Sequence, residues 1–139
     1  MHEITFDEAL ELIQAKDRRY HRDAYLFVRE ALDHTQKAVL KETRGQPRHV
    51  TGQELLAGIR EYALQQFGPM VMTVFEEWGV KRCEHFGDIV FNMVEAGWLA
   101  KTDQDRREDF QGGYDFEDAF RKPFLPQNKL KIETKPVAG

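Results

Sequence analysis

The stretch Cys83-Glu84-His85-Phe86-Gly87-Asp88-Ile89-Val90-Phe91-Asn92-Met93-Val94-Glu95-Ala96-Gly97-Trp98-Leu99 decides how the rest of the chain is read. Phe86, Ile89, Val90 and Met93 recur at helical spacing, and Val94 extends the stripe. Glu84, His85, Asp88, Asn92 and Glu95 then fall on the opposite side, which is expected to face water. A helix over Cys83–Ala96 follows. Gly97 suits the left-handed residue that closes a helix. Trp98 and Leu99 resume the apolar pattern at once, so the chain should leave the helix and return to the core.

Upstream, Gly79 is expected to cap a short helix over Pro69–Trp78. That helix is apolar nearly all round and so should be buried on several sides. Thr51-Gly52-Gln53-Glu54 is a capping box, in which hydroxyl and carboxylate each satisfy a free backbone N–H. It opens a helix to about Phe67, with Leu55, Leu56, Ile59, Ala63 and Phe67 inward. Thr5-Phe6-Asp7-Glu8 repeats the box and opens a short helix ending near Lys16, with Phe6, Ala9, Leu10 and Ile13 inward. Asp17 to Arg22 is a polar connection. A longer helix spans Asp23–Glu42 on a stripe of Tyr25, Val28, Leu32, Thr35 and Val39, broadened by Phe27, Ala31 and Ala38. Gly45 and Pro47 stop it. Downstream, Trp98–Thr102 alternates like a strand, Asp103-Gln104-Asp105 turns, and Arg106–Phe110 is expected to return as the second strand. Asp115-Phe116-Glu117-Asp118 opens a last short helix ending near Phe120.

Three helices followed directly by Val94-Glu95-Ala96-Gly97-Trp98-Leu99 and a polar hairpin resemble a winged helix. The resemblance implies a mainly α fold: an N-terminal helical pair packed on a winged-helix-like three-helix core, with a small β-hairpin as the wing. The expected layout is a single domain over residues 1–120, with the pair in 1–45, the core in 51–97, and the hairpin and last helix in 98–120. Residues 121–139 read as an extended or mobile tail. Across Phe6 to Phe120 the chain also resembles an uncharacterised conserved family of bacterial proteins. Ala24-Tyr25-Leu26-Phe27-Val28, Thr51-Gly52-Gln53-Glu54-Leu55-Leu56, Phe67-Gly68-Pro69, Asp88-Ile89-Val90-Phe91-Asn92 and Gly113-Tyr114-Asp115-Phe116 carry that likeness. It implies one compact unit and brings no site with it.

The 139 residues hold 20 Lys and Arg against 24 Asp and Glu, a net charge of -4. This excludes a chain that coats nucleic acid by bulk charge. The excess is local, since residues 51–97 carry 3 basic and 7 acidic side chains while both flanks balance. One cysteine, Cys83, excludes an internal disulfide and suits a reducing compartment. Met1–Glu11 has no apolar run behind a basic segment, so a cytoplasmic protein without a secretory signal is expected. The longest strongly apolar stretch, Met70–Phe75, falls far short of a membrane span.

A winged helix that reads DNA presents Arg, Lys, Asn or Gln on its third helix. Here Glu84, Asp88 and Glu95 would repel phosphate. Glu84, His85, Asp88 and Asn92 are instead expected to form a docking face for a protein partner or a second copy. Arg18, Arg19, Arg22, Lys81, Arg82, Arg106 and Arg107 are the candidates for nucleic-acid contact, the first three interleaved with Tyr20 and His21. A further basic group, Arg121, Lys122, Lys129, Lys131 and Lys135, sits toward the C-terminus. Cys83 and His85 lack the second pair that a zinc site needs. The acidic run from Asp103 to Asp118 lacks the spacing of a calcium loop. No phosphate-binding glycine loop is present. No catalytic residue, metal or cofactor is therefore expected, and a non-catalytic protein-binding module is the reading that follows, with a nucleic-acid-binding regulator and then an enzyme as rivals.

Overall fold

A computed structural model describes residues 4–100 and 107–126, with Arg107 described in its backbone alone. Among these, five α-helices appear: α1 (Phe6–Lys16), α2 (Arg22–Glu42), α3 (Gly52–Phe67), α4 (Val71–Glu77) and α5 (Cys83–Glu95). Short turns of other helical types fill the rest, at Gly68–Met70, Arg107–Phe110, Glu117–Arg121 and Lys122–Phe124.

Local chemistry sets the helix starts. In α1 the Thr5 hydroxyl accepts the Glu8 N–H at 3.1 Å, and the Glu8 carboxylate accepts the Thr5 N–H at 2.9 Å. Thr51 and Glu54 repeat the pair at α3, at 3.0 and 3.1 Å. At α2 the imidazole of His21 accepts the Asp23 N–H at 3.0 Å. Helix α2 ends where Arg44 and Gly45 turn left-handed, and the Gly45 N–H bonds to the Leu40 carbonyl.

One apolar core runs from Phe6 to Phe120. Its centre is Phe75, fully buried, with the rings of Phe27, Phe86 and Phe120 at 5.5, 5.3 and 5.4 Å. Phe110, Phe116 and Phe120 fold back onto the helices and are buried. Gly87 makes that return possible. A Cβ there would stand 2.9 Å from the Phe110 Cβ, so a larger residue would push the segment off α5. No helix among the described residues is long and apolar enough to cross a membrane.

Three expectations change. No strand occurs among the described residues. Trp98 and Leu99 form a bend and 107–110 a 3-10 turn, while residues 101–106 of the expected wing lie outside the described ones. The reason is the helix end itself. Gly97 turns left-handed, and the Trp98 and Leu99 N–H groups both donate to the Met93 carbonyl, at 3.0 and 3.2 Å, so a ladder could not use them. The Trp98 ring then packs edge-on against Phe6 at 4.9 Å.

The expected Pro69–Trp78 helix is shorter and less enclosed. Only Val71 and Phe75 of α4 are buried, while Thr73, Glu76 and Glu77 face solvent and Met70 is 54% exposed. The last helix is a single π turn at Glu117–Arg121, and a 3-10 turn follows in place of the first residues of an extended tail. Residues 127–139 lie outside the described ones.

Candidate functional site

The polar side of α5 does not face open water. Of the thirteen residues of α5, Glu95 alone is exposed. The connection between α1 and α2 lies across the side that carries His85, Asp88 and Asn92. The Tyr20 hydroxyl donates to Asp88 Oδ2 at 2.6 Å, and Arg19 Nη1 reaches the same oxygen at 3.3 Å. The Asn92 amide donates to Asp17 Oδ2 and to the Tyr25 hydroxyl oxygen, both at 3.0 Å. His85 Nδ1 accepts the Lys81 N–H at 2.9 Å, and its ring lies 5.6 Å from that of Tyr20.

Charge in this joint is settled by its neighbours. The Arg19 guanidinium holds the Asp17 carboxyl well below the usual carboxylate range, against the opposing effect of burial. Burial, with the Asp88 carboxylate, pushes the Tyr20 phenol up. Burial, then the Arg82 charge, pulls His85 below its ordinary value, so its ring is neutral at pH 7. Of the expected docking set, Asp88 and Asn92 therefore bond within the fold, His85 accepts a backbone N–H, and Glu84 is half-buried.

The two segments that carry five of the basic candidates touch through their backbones. Arg18, Arg19 and Arg22 come from the α1–α2 connection and the start of α2, and Lys81 and Arg82 from the approach to α5. These two segments dock backbone to backbone, with the His21 N–H donating to the Trp78 carbonyl at 3.1 Å. Gly79, left-handed at φ 84°, faces the Arg19 carbonyl so closely that any Cβ would collide with it. Arg19 is tied to Asp17 at 2.7 Å, and Arg22 lies 3.9 Å from Asp7. Arg18, Lys81 and Arg82 are exposed, and among the described residues their side chains make no hydrogen bond or ion pair. Tyr20, interleaved with these arginines in the sequence, is 3% exposed and belongs to the core. Arg106 lies outside the described residues. The backbone turn that begins at Arg107 packs on the Gly87 flank of α5, away from the His85 flank.

The other reactive side chains are also engaged. Cys83 is buried, its thiol donates to the Tyr114 carbonyl at 3.4 Å, and burial pushes it up to about 11. A thiol so held is protonated at pH 7 and a poor nucleophile. His34 pairs with Glu61 at 2.8 Å across the α2–α3 surface. Among the described residues no three His, Cys, Asp or Glu side chains stand close enough to hold a metal.

A cleft of about 250 Å³ between α2, α3 and α5 was not foreseen in the sequence. Val50, Leu55, Phe91 and Phe110 floor it, and Val90 and Val94 form one wall. Arg48 at its mouth is clamped by Glu54 through two contacts of 2.9 and 2.6 Å. The available signal was the width of the apolar stripe on α5, since Val90 and Val94 sit on a different flank from Phe86, Ile89 and Met93.

Comparison of the chain with family models, with curated proteins and with solved structures returned no match.

Proposed function

We propose that the protein is a non-catalytic binding module, cytoplasmic and of winged-helix type in its helix order, that docks an anionic partner. The contact surface in this reading is the ridge of Arg18, Arg19, Arg22, Lys81 and Arg82. One observation carries it: two basic segments far apart in sequence are joined by backbone contacts, and among the described residues three of their cations make no hydrogen bond or ion pair through their side chains. Exposed cations without a partner among the described residues break no internal ion pair on meeting an anion. Helix α5 serves here as the central strut that holds the ridge, in place of a helix that reads bases.

Retention on a heparin resin at low ionic strength tests the reading. The native chain, although acidic overall, should be held, and the Arg18→Glu/Lys81→Glu/Arg82→Glu variant should pass through. Passage of the native chain would remove the reading.

A second reading, contact with a protein or a second copy, draws on exposed apolar side chains. The turn at Gly68–Met70 packs against the one at Glu117–Arg121, so Met70 and the nearby Phe124 and Leu125 lie toward the same end. Light scattering on the native chain and on Met70→Lys tests it. A monomer in both would exclude self-association through this end.

A further inference from the structure

We propose that the cleft between α2, α3 and α5 binds an uncharged small molecule of one or two rings that carries a single hydrogen-bonding group.

The cleft is a fixed feature of the packing. Phe110 stands between α3 and α5, where a Cβ at Gly87 would lie 2.9 Å from its Cβ and a Cβ at Gly52 would lie 3.1 Å from its ring. Across the α2–α3 contact, Thr35 sits against Gly58 and leaves no room for a Cβ there. Neither contact has slack, so the three helices cannot draw together and close the gap.

The lining sets the body of the ligand. Val50, Leu55, Phe91 and Phe110 on the floor are 8, 5, 7 and 3% exposed. The cleft therefore reaches down to core side chains, and Val90 and Val94 continue the apolar surface up one wall. Such a lining favours an apolar body by the area it removes from water. A dry apolar cavity of about 150 Å³ admits benzene, and drug-sized sites begin at about 300 Å³. At about 250 Å³ the cleft lies between the two, which sets the size at one or two rings.

The rim sets the charge. Arg48 Nη1 and Nη2 donate to Glu54 Oε1 and Oε2 at 2.9 and 2.6 Å. Glu54 Oε1 also accepts the Thr51 N–H at 3.0 Å, as half of the capping box. A ligand carboxylate would have to take Arg48 from a partner that the start of α3 holds in place. His49 and Asp109, the other ionisable side chains of the lining, are engaged as well. A charged group entering the cleft would thus lose its water without gaining a counter-charge, which is costly. An uncharged polar group has a partner in Gln36. This amide is exposed at the rim, makes no hydrogen bond among the described residues, and both donates and accepts.

The experiment is an amide NMR titration of the isotope-labelled full chain at pH 7 with naphthol, naphthoate and naphthylmethylamine. These carry the same two rings with a neutral, an anionic and a cationic group. Saturable shifts at residues 48–55 and 90–94 are expected with naphthol, and binding at least about tenfold weaker with the two charged probes. Val94→Trp places a ring of its own in the cleft and should abolish these shifts without lowering the thermal midpoint. Val90→Phe fills the same space from the neighbouring turn, carries the same expectation, and serves where Val94→Trp does not fold. Gln36→Ala should weaken naphthol about two- to tenfold and leave naphthalene unchanged. Absence of any saturable shift with naphthol would overturn the proposal. Binding that survives in both filled variants would overturn the assignment to this cleft. Tighter binding of naphthoate or naphthylmethylamine than of naphthol would overturn the chemical class.

Discussion

The two sides of α5 are both covered, by opposite chemistry. On one, Phe86, Ile89 and Met93 press into the aromatic core around Phe75, where any well-fitting apolar volume would serve. On the other, Asp88 and Asn92 meet Asp17, Arg19, Tyr20 and Tyr25, where each donor needs its own acceptor. The apolar side stabilises by area removed from water and tolerates repacking. The polar side adds less net stability but sets one register for the α1–α2 connection, because a buried polar group without its partner is costly. The polar side holds the connection that carries Arg18 and Arg19, so the chemistry that fixes position also sets where these residues stand.

Removing a central ring from the apolar side should have the largest effect. Phe75→Ala is expected to cost about 3–5 kcal/mol, read as a lower urea midpoint. Any heparin retention that this variant keeps while folded should match the native chain. On the polar side, Asn92→Ala leaves Asp17 and the Tyr25 hydroxyl without their shared donor, at about 1–3 kcal/mol. Unlike Phe75→Ala, it should also weaken heparin retention, because the connection that carries Arg18 and Arg19 loses a tether. Equal retention by the two variants would break the contrast between the sides.

Tyr20→Phe keeps the ring and deletes one hydrogen bond to Asp88, so about 1 kcal/mol is expected in the same unfolding assay. The smallest effect is one of pH. Asp17 has a folded value below its ordinary 3.8. Its contribution is therefore complete above that pH and drains away as pH falls below it. In Asp17→Asn the acid limb of urea midpoint against pH should be shallower, whereas in Phe75→Ala it should keep the native slope. Equal slopes in all three proteins would show that the polar side carries no such linkage.

Much of the helical layout was legible because helix starts are local. The Thr5–Glu8 and Thr51–Glu54 boxes act over three residues, and α1, α3 and α5 begin where the pattern places them. The hairpin was not legible. Alternation in Trp98–Thr102 is a statement about side chains, and what decided the outcome was the Trp98 and Leu99 N–H groups turning back to the Met93 carbonyl. The candidate site was half legible. Basic residues at 18, 19, 22, 81 and 82 stand out by eye, but their meeting depends on a bond from His21 to Trp78 and on the missing side chain of Gly79. The cleft beside Val90 and Val94 left only a widened apolar stripe on α5, which a broader core contact would leave as well.

By itself the sequence determined a mainly helical chain, the starts of α1, α3 and α5 and their apolar stripes, because capping and periodicity are settled within a turn or two of backbone. The tertiary structure alone decided that Asp88 and Asn92 of α5 are bonded within the fold and that two separate basic segments touch. A polar stripe is compatible with water or with a bonded neighbour. The choice between them belongs to residues such as Asp17 and Tyr20, which are remote in sequence and come near only when the whole core has formed.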